Sequence, residues 1–125
     1  MLIRGSRAKV ADNSGALECE IFGIYGGTRK RIARVGDIVK VAIKASIPTA
    51  KIKKGSVAKA LIIRTKSCVA TVNGHRAYAG ENAVVLINDK FEAIGTRVFG
   101  FASRKAFMNK HENIAKIASF CEGVY

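Results

Sequence analysis

The chain has 125 residues, 49% of them hydrophobic and only one of them proline, so it is long enough to bury one core and too apolar to be disordered. With 22 Lys and Arg against 9 Asp and Glu, the formal net charge is +13, which points to a polyanionic partner, either nucleic acid or an acidic membrane face. No apolar run reaches membrane-spanning length, and the three cysteines, Cys19, Cys68 and Cys121, have neither zinc-site spacing nor the even count of a disulfide framework.

In chain order, the stretch LIRGSRAKV (2–10) reads as a first strand rather than a signal peptide, ended by four turn formers, Asp12, Asn13, Ser14 and Gly15. ALECEIFGIY (16–25) alternates, with Leu17, Cys19 and Ile21 on one face and Glu18 and Glu20 on the other. The loop GGTRKRIARVGD (26–37) then sets Arg29, Lys30, Arg31 and Arg34 between a glycine pair and a Gly-Asp turn. IVKVAIK (38–44) is a strand with Val39, Val41 and Ile43 inward and Lys40 and Lys44 outward. A second basic loop, TAKIKKG (49–55), carries Lys51, Lys53 and Lys54. It leads into the strand SVAKALIIRT (56–65), with Lys59 exposed partway along and Arg64 near the end, followed by Lys66. Asn73-Gly74 predicts a hairpin with a type I′ turn, and NAVVLIND (82–89) a central, well-buried strand. After Gly100 the spacing turns helical. Ala106, Phe107 and Met108, then Ile114, Ile117, Phe120 and Cys121, predict two short helices, with Asn113 capping the second and Gly123 ending it. Short strands with glycine turns followed by a helical tail indicate an all-β fold, a small closed β-barrel in a single domain, with barrel and ribbon over 1–100 and tail over 101–125.

The charge is concentrated. Residues 26–66 hold twelve cations against Asp37 alone, while residues 1–25 sum to zero. Glycine turns let a backbone approach phosphate closely, Arg offers a planar fork to phosphate oxygens, and Lys offers a movable point charge. The same segment holds no aromatic residue, Tyr25 being the nearest. Phe22, Phe99, Phe107 and Phe120 are expected in the core or its helical cover, and Phe101 at the surface. Structured RNA gripped by backbone and shape is therefore expected, ahead of a single-strand binder that stacks bases on exposed rings. Catalytic constellations are missing: the acids are scattered, His75 flanks a turn, His111 lies in the tail, and Ser14 lacks a GxSxG context. No enzyme activity, metal or cofactor is expected.

Seven segments occur in order and nearly end to end: VADNSGA (10–16), Gly26-Gly27 with the basic run and VGD (35–37), Ile47-Pro48 with KIKKGSV (51–57), KALIIRTK (59–66), NAVVLIN (82–88), GTRVFG (95–100) and KIASF (116–120). In these the chain closely resembles the universal large-subunit ribosomal protein L fourteen family, in its bacterial and organellar form. The resemblance implies a closed five-stranded β-barrel with a projecting β-ribbon and one or two short C-terminal α-helices. It also implies large-subunit rRNA as partner, bridges to small-subunit rRNA, contacts with neighbouring large-subunit proteins, and no membrane. On this reading Arg29, Lys30, Arg31, Arg34, Lys51, Lys53 and Lys54 hold rRNA, supplemented by Lys40, Lys44, Lys59, Arg64 and Lys66. Thr96, Arg97, Arg104 and Lys116 would face the subunit interface and protein partners, including the ribosome-silencing factor. The chain departs from the family at SCVATVNG after Lys66, at Ala79 with Tyr78 displaced by one, at Phe101 in place of proline, between Arg104 and Ile114, and in the CEG tail. Such drift suits a mitochondrial ribosome in the matrix, with bacterial cytoplasm or plastid stroma as alternatives.

Overall fold

Two apolar layers organise the molecule, and both trace to strands with hydrophobic residues on each face. The computed structural model describes residues 2–67, 69–70, 74–108 and 112–124. Its strands are β1 (Leu2–Ile3), β2 (Arg7–Val10), β3 (Ala16–Ile24), β4 (Ile32–Ala33), β5 (Ile38–Ser46), β6 (Val57–Arg64), β7 (Val69–Ala70), β8 (Arg76–Ala77), β9 (Ala83–Ile87), β10 (Val98–Ala102) and β11 (Cys121–Val124). Strands β2, β3, β5, β6 and β9 close into a barrel in that order. Every junction is antiparallel except β2 with β9.

Period-two side-chain placement explains the two layers. Ala60 and Ile62 of β6, and Val84 and Leu86 of β9, join Cys19, Ile21, Val39, Val41 and Ile43 inside the barrel. Their neighbours Leu61, Ile63, Val85 and Ile87 face outward, into a second layer with Val98, Ala102, Ala106, Ile114 and Ile117. Strands β6 and β9 are thus covered on both faces, which is why they read as near-continuous apolar runs. Each fully buried Leu or Ile contributes about 1.5–3 kcal/mol. The C-terminal segment is therefore a lid on the barrel wall.

Several sequence expectations need correction. The first segment is broken at Gly5, whose φ of +89° lets β1 leave the barrel and pair with β4. Leu17 is outward and 53% exposed, because it is the extra residue of a bulge: Ala16 pairs with Ser46, but Glu18 pairs with Ala45. The tail holds one α-helix, α1 (Glu112–Ile117), between 3-10 turns at Arg104–Phe107 and Ala118–Phe120. Asn113 lies within α1 and donates its side-chain amide to Lys90 O at 2.7 Å instead of capping. Gly123 ends no helix. It sits in β11, which pairs in parallel with β10, and a Cβ there would overlap the Phe101 ring. The ribbon is present as the antiparallel pair β7 and β8, with Gly74 at φ +82°. Asn73, and with it the turn type, lies outside the described residues, as do Cys68 and His111.

Candidate nucleic-acid interface

The first basic loop, 26–37, is held at three points. Pairing of β4 with β1 buries Ala33 and Leu2, and Val35 packs against both apolar layers. The turn from Arg34 to Asp37 is closed by the Asp37 carboxylate, which accepts the Arg34 N–H at 2.8 Å, while the Asp37 N–H donates to Arg34 O at 3.0 Å. Gly36, at φ +94°, donates to Ile62 O and leaves no room for a Cβ, which would lie 2.9 Å from Lys105 O. Lys30 Nζ pairs with Asp37 at 3.0 Å. Arg29, Arg31 and Arg34 project into solvent and have no ion-pair partner among the described residues. A cleft of about 520 Å³ is lined by Ile3, Arg4, Thr28, Arg29, Lys30 and Arg31. Arg4 therefore joins the cluster. Sequence reasoning missed it because its Arg-Gly step, the only available signal, sat inside an apparently continuous strand.

The second basic loop follows β5. Ile47 N–H donates to Gly15 O at 3.0 Å, Gly55 N–H to Ile43 O at 2.8 Å, and Ser56 N–H to Lys53 O at 3.2 Å. Ile52 packs against the barrel core, which turns Lys51, Lys53 and Lys54 outward. Gly15, at φ +97°, carries the loop closely: a Cβ there would overlap Ala50.

These loops leave β5 from opposite ends, separated by roughly 26 Å of strand at 3.3 Å per residue. Between them Lys40 and Lys44 face outward, and Lys40 lies directly opposite Lys59 on β6. The outcome is a basic stripe rather than a single patch. Glu20 partly offsets Lys44 at 3.6 Å, and Asp89 partly offsets Lys59 at 3.5 Å. Such surface pairs are worth about 0–1 kcal/mol and would exchange readily for phosphate. Arg29, Arg31, Arg34, Lys40, Lys51, Lys53, Lys54 and Lys66 have no ion pair among the described residues.

Arg64 stands apart from the stripe. Its side chain is only 12% exposed, and its guanidinium donates to Phe99 O at 3.1 Å, Phe101 O at 3.0 Å and Glu81 Oε1 at 2.8 Å. That geometry ties β10 to the barrel. Hydrogen bonds from Arg64 and then Lys9 hold the Glu81 carboxyl below the usual carboxylate range. Because the folded value is lowered, this stability is present above the ordinary glutamate range and is lost as pH falls through the folded value. Glu81→Gln is expected to lower thermal stability near neutral pH by under about 1 kcal/mol, since solvent screens the partly exposed carboxylate. A pH series of melting curves should show the gap to wild type closing in acid.

The aromatic residues also differ from expectation. Phe22 is 45% and Phe99 47% exposed, and Phe120 is exposed as well, while Phe107 does join the outer layer and Phe101 is at the surface. Phe22 is the extra residue of a second bulge, between the Ile21–Val41 and Gly23–Lys40 pairs, and its ring lies 6.0 Å from Lys40 Nζ. Rings therefore do stand beside the lysines of the stripe, supplied by neighbouring strands and turns.

Thr96 and Arg97 are placed by Asn13. Its Oδ1 accepts the Thr96 N–H at 2.8 Å and the Arg97 N–H at 3.2 Å, and its Nδ2 donates to Thr96 Oγ1 at 3.0 Å. Pairing of Val98 with Cys121 brings this corner beside the chain just after α1. Lys116 is exposed there, on the helix face opposite the buried Ile114 and Ile117. Arg104 is exposed beyond the other end of β10, so the four residues do not form one cluster.

The remaining reactive groups are muted. Cys19 is buried, donates to Ala8 O, and has its thiol pushed up to about 12, first by burial and then by the charges of Glu18 and Asp12. No group of three or more His, Cys, Asp or Glu able to hold a metal occurs among the described residues. Against known protein families, the model described as ribosomal protein L14p/L23e matches residues 1–121.

Proposed function

Since this chain belongs to the ribosomal protein L14p/L23e family and so to the structural proteins of the large ribosomal subunit, we propose that it grips large-subunit rRNA along the basic stripe. Arg29, Arg31 and Arg34 at one end, and Lys51, Lys53 and Lys54 at the other, hold phosphates, with Lys30, Lys40, Lys44, Lys59 and Lys66 between and beside them. Arg4 adds to the first cluster. Arg64 acts mainly by fixing β10, since its largely buried guanidinium already makes three hydrogen bonds within the protein. The observation that carries this reading is the exposed cations without ion pairs among the described residues, Arg29, Arg31 and Arg34 at one end of β5 and Lys51, Lys53 and Lys54 at the other, with Lys40 on the strand between. A charge row on a rigid strand suits a folded backbone of defined geometry.

The corner of Thr96 and Arg97, with Lys116 nearby and Arg104 beyond, is the surface for the subunit interface. Its partners there are small-subunit rRNA at bridges, neighbouring large-subunit proteins and the ribosome-silencing factor. The chain's departures from its family support a mitochondrial ribosome, with bacterial cytoplasm or plastid stroma as alternatives. In a lysate gradient the protein should travel with large subunits and whole ribosomes; recovery only at the top of the gradient would refute the proposal. With six to eight cations on phosphates, binding to purified large-subunit rRNA should weaken with salt at a log–log slope of about −4 to −7.

A further inference from the structure

A small slot on the barrel wall has two aromatic rings in its lining. Tyr25, Ile38, Lys59 and Phe91 line a cavity of about 230 Å³. Lys59 Nζ lies 5.4 Å from the Tyr25 ring centre and 5.5 Å from that of Phe91. A cavity of about 150 Å³ already admits a benzene ring, so this one has the volume of a pyrimidine.

Its placement matters as much as its size. Tyr25 and Ile38 bracket the basic loop 26–37 and are joined at its base, where the Tyr25 N–H donates to Ile38 O at 3.1 Å. Phe91 is held in a left-handed conformation, φ +63°, that a phenylalanine rarely adopts. The turn that imposes it is locked by Asn88, whose Oδ1 accepts the N–H groups of Lys90 and Glu92, both at 2.9 Å. Across the β5–β6 pair, Lys40 and Lys59 are directly opposed, a repulsive arrangement that an incoming electron-rich group would relieve. Asp89 does little to relieve it, because its side chain is 95% exposed.

We propose that this slot takes an unpaired nucleobase of the RNA whose phosphates the adjoining loop holds. The base stacks against the Tyr25 and Phe91 rings in place of the Lys59 ammonium that now lies over both, and the displaced Lys59 donates to a keto oxygen on its edge. The inference rests on the rRNA-binding reading above and adds a base contact to what is otherwise a backbone grip.

The test uses the full-length protein and two probes of equal length and charge, a single-stranded oligouridylate and the matching abasic oligomer. Stacking should make the oligouridylate bind tighter by about 5- to 150-fold. Tyr25→Leu and Phe91→Leu keep the apolar lining but remove a π face, and each should cut that preference while leaving abasic binding unchanged. Equal binding of both probes by the wild type would overturn the slot and leave the phosphate grip standing. Failure to bind either probe would overturn the slot, while the phosphate grip stands or falls on the salt titration with purified large-subunit rRNA. As a readout independent of mutation, 4-thiouridine in the oligomer should crosslink to peptides containing Tyr25 or Phe91. Adducts confined to other aromatics, such as Tyr78 or Phe101, would refute the assignment.

Discussion

Replacing Arg29, Arg31 and Arg34 together by Glu is expected to lower affinity for large-subunit rRNA by roughly 10²- to 10⁴-fold at physiological salt. Each unit charge about 4 Å from a phosphate is worth about 1 kcal/mol even at the dielectric of water, and the triple change moves the loop by six units before screening. The log–log salt slope should become shallower by about 2 to 3, because three counterion-releasing contacts disappear. Lys30 is deliberately retained, since its pair with Asp37 steadies the turn that presents the arginines. The melting temperature should hardly move, because all three side chains are exposed and without ion pairs among the described residues. A variant that is fully folded by circular dichroism, yet still binds with wild-type affinity and slope, would remove the first loop from the interface.

Asp12→Ala is expected to destabilise the protein by about 2–4 kcal/mol, because it strands buried donors. The buried Asp12 carboxylate accepts the Ser14 N–H at 3.2 Å and the Ser14 hydroxyl at 2.5 Å through one oxygen, and the Leu86 N–H at 3.2 Å through the other. It thereby fastens the DNSG turn to β9 at the centre of the barrel. That turn in turn holds Ile47 through Gly15 and the Thr96–Arg97 corner through Asn13. The loss should appear as a lower urea midpoint at unchanged slope. Asp12→Asn should cost less, since it can still accept from Ser14, though its amide would face the Leu86 N–H. Burial raises the Asp12 carboxyl above its ordinary value, outweighing the hydrogen bonds that lower it. The sign is therefore opposite to that of Glu81. The stability contributed by this group is full below the ordinary aspartate range and is lost as pH rises through the folded value. A cost under about 1 kcal/mol for Asp12→Ala would show that the turn is held by other means.

The two carboxylates show how differently the same chemistry is used. Glu81 is half open and paired with two cations, so it adds a modest, screened increment. Asp12 has no cationic partner among the described residues and works as a hub for backbone donors.

The sequence by itself determined the barrel strands and the two basic loops. Val39, Val41 and Ile43 alternate with Lys40, Ala42 and Lys44, and one face of such a strand must be dry, so strand, orientation and exposed lysines follow from local spacing. NAVVLIND likewise announced a strand buried on both faces. The loop cations were legible because twelve positive charges with one acid cannot pair among themselves. Only the tertiary structure decided what depends on distant partners. Leu17 and Phe22 turned outward because β5 imposed bulges on β3, and register belongs to the pair of strands, never to one of them. Cys121–Val124 became a strand because β10 offered a parallel edge, against a local spacing that favoured helix. Arg64 was drawn into the fold by carbonyls 35 and 37 residues away, whereas Arg4 was added to the interface by β1 pairing with β4. The rings at Lys40 and Lys59 came from outside the basic segment for the same reason: side-chain neighbours across a closed sheet are set by which strands pair, and that information is not local.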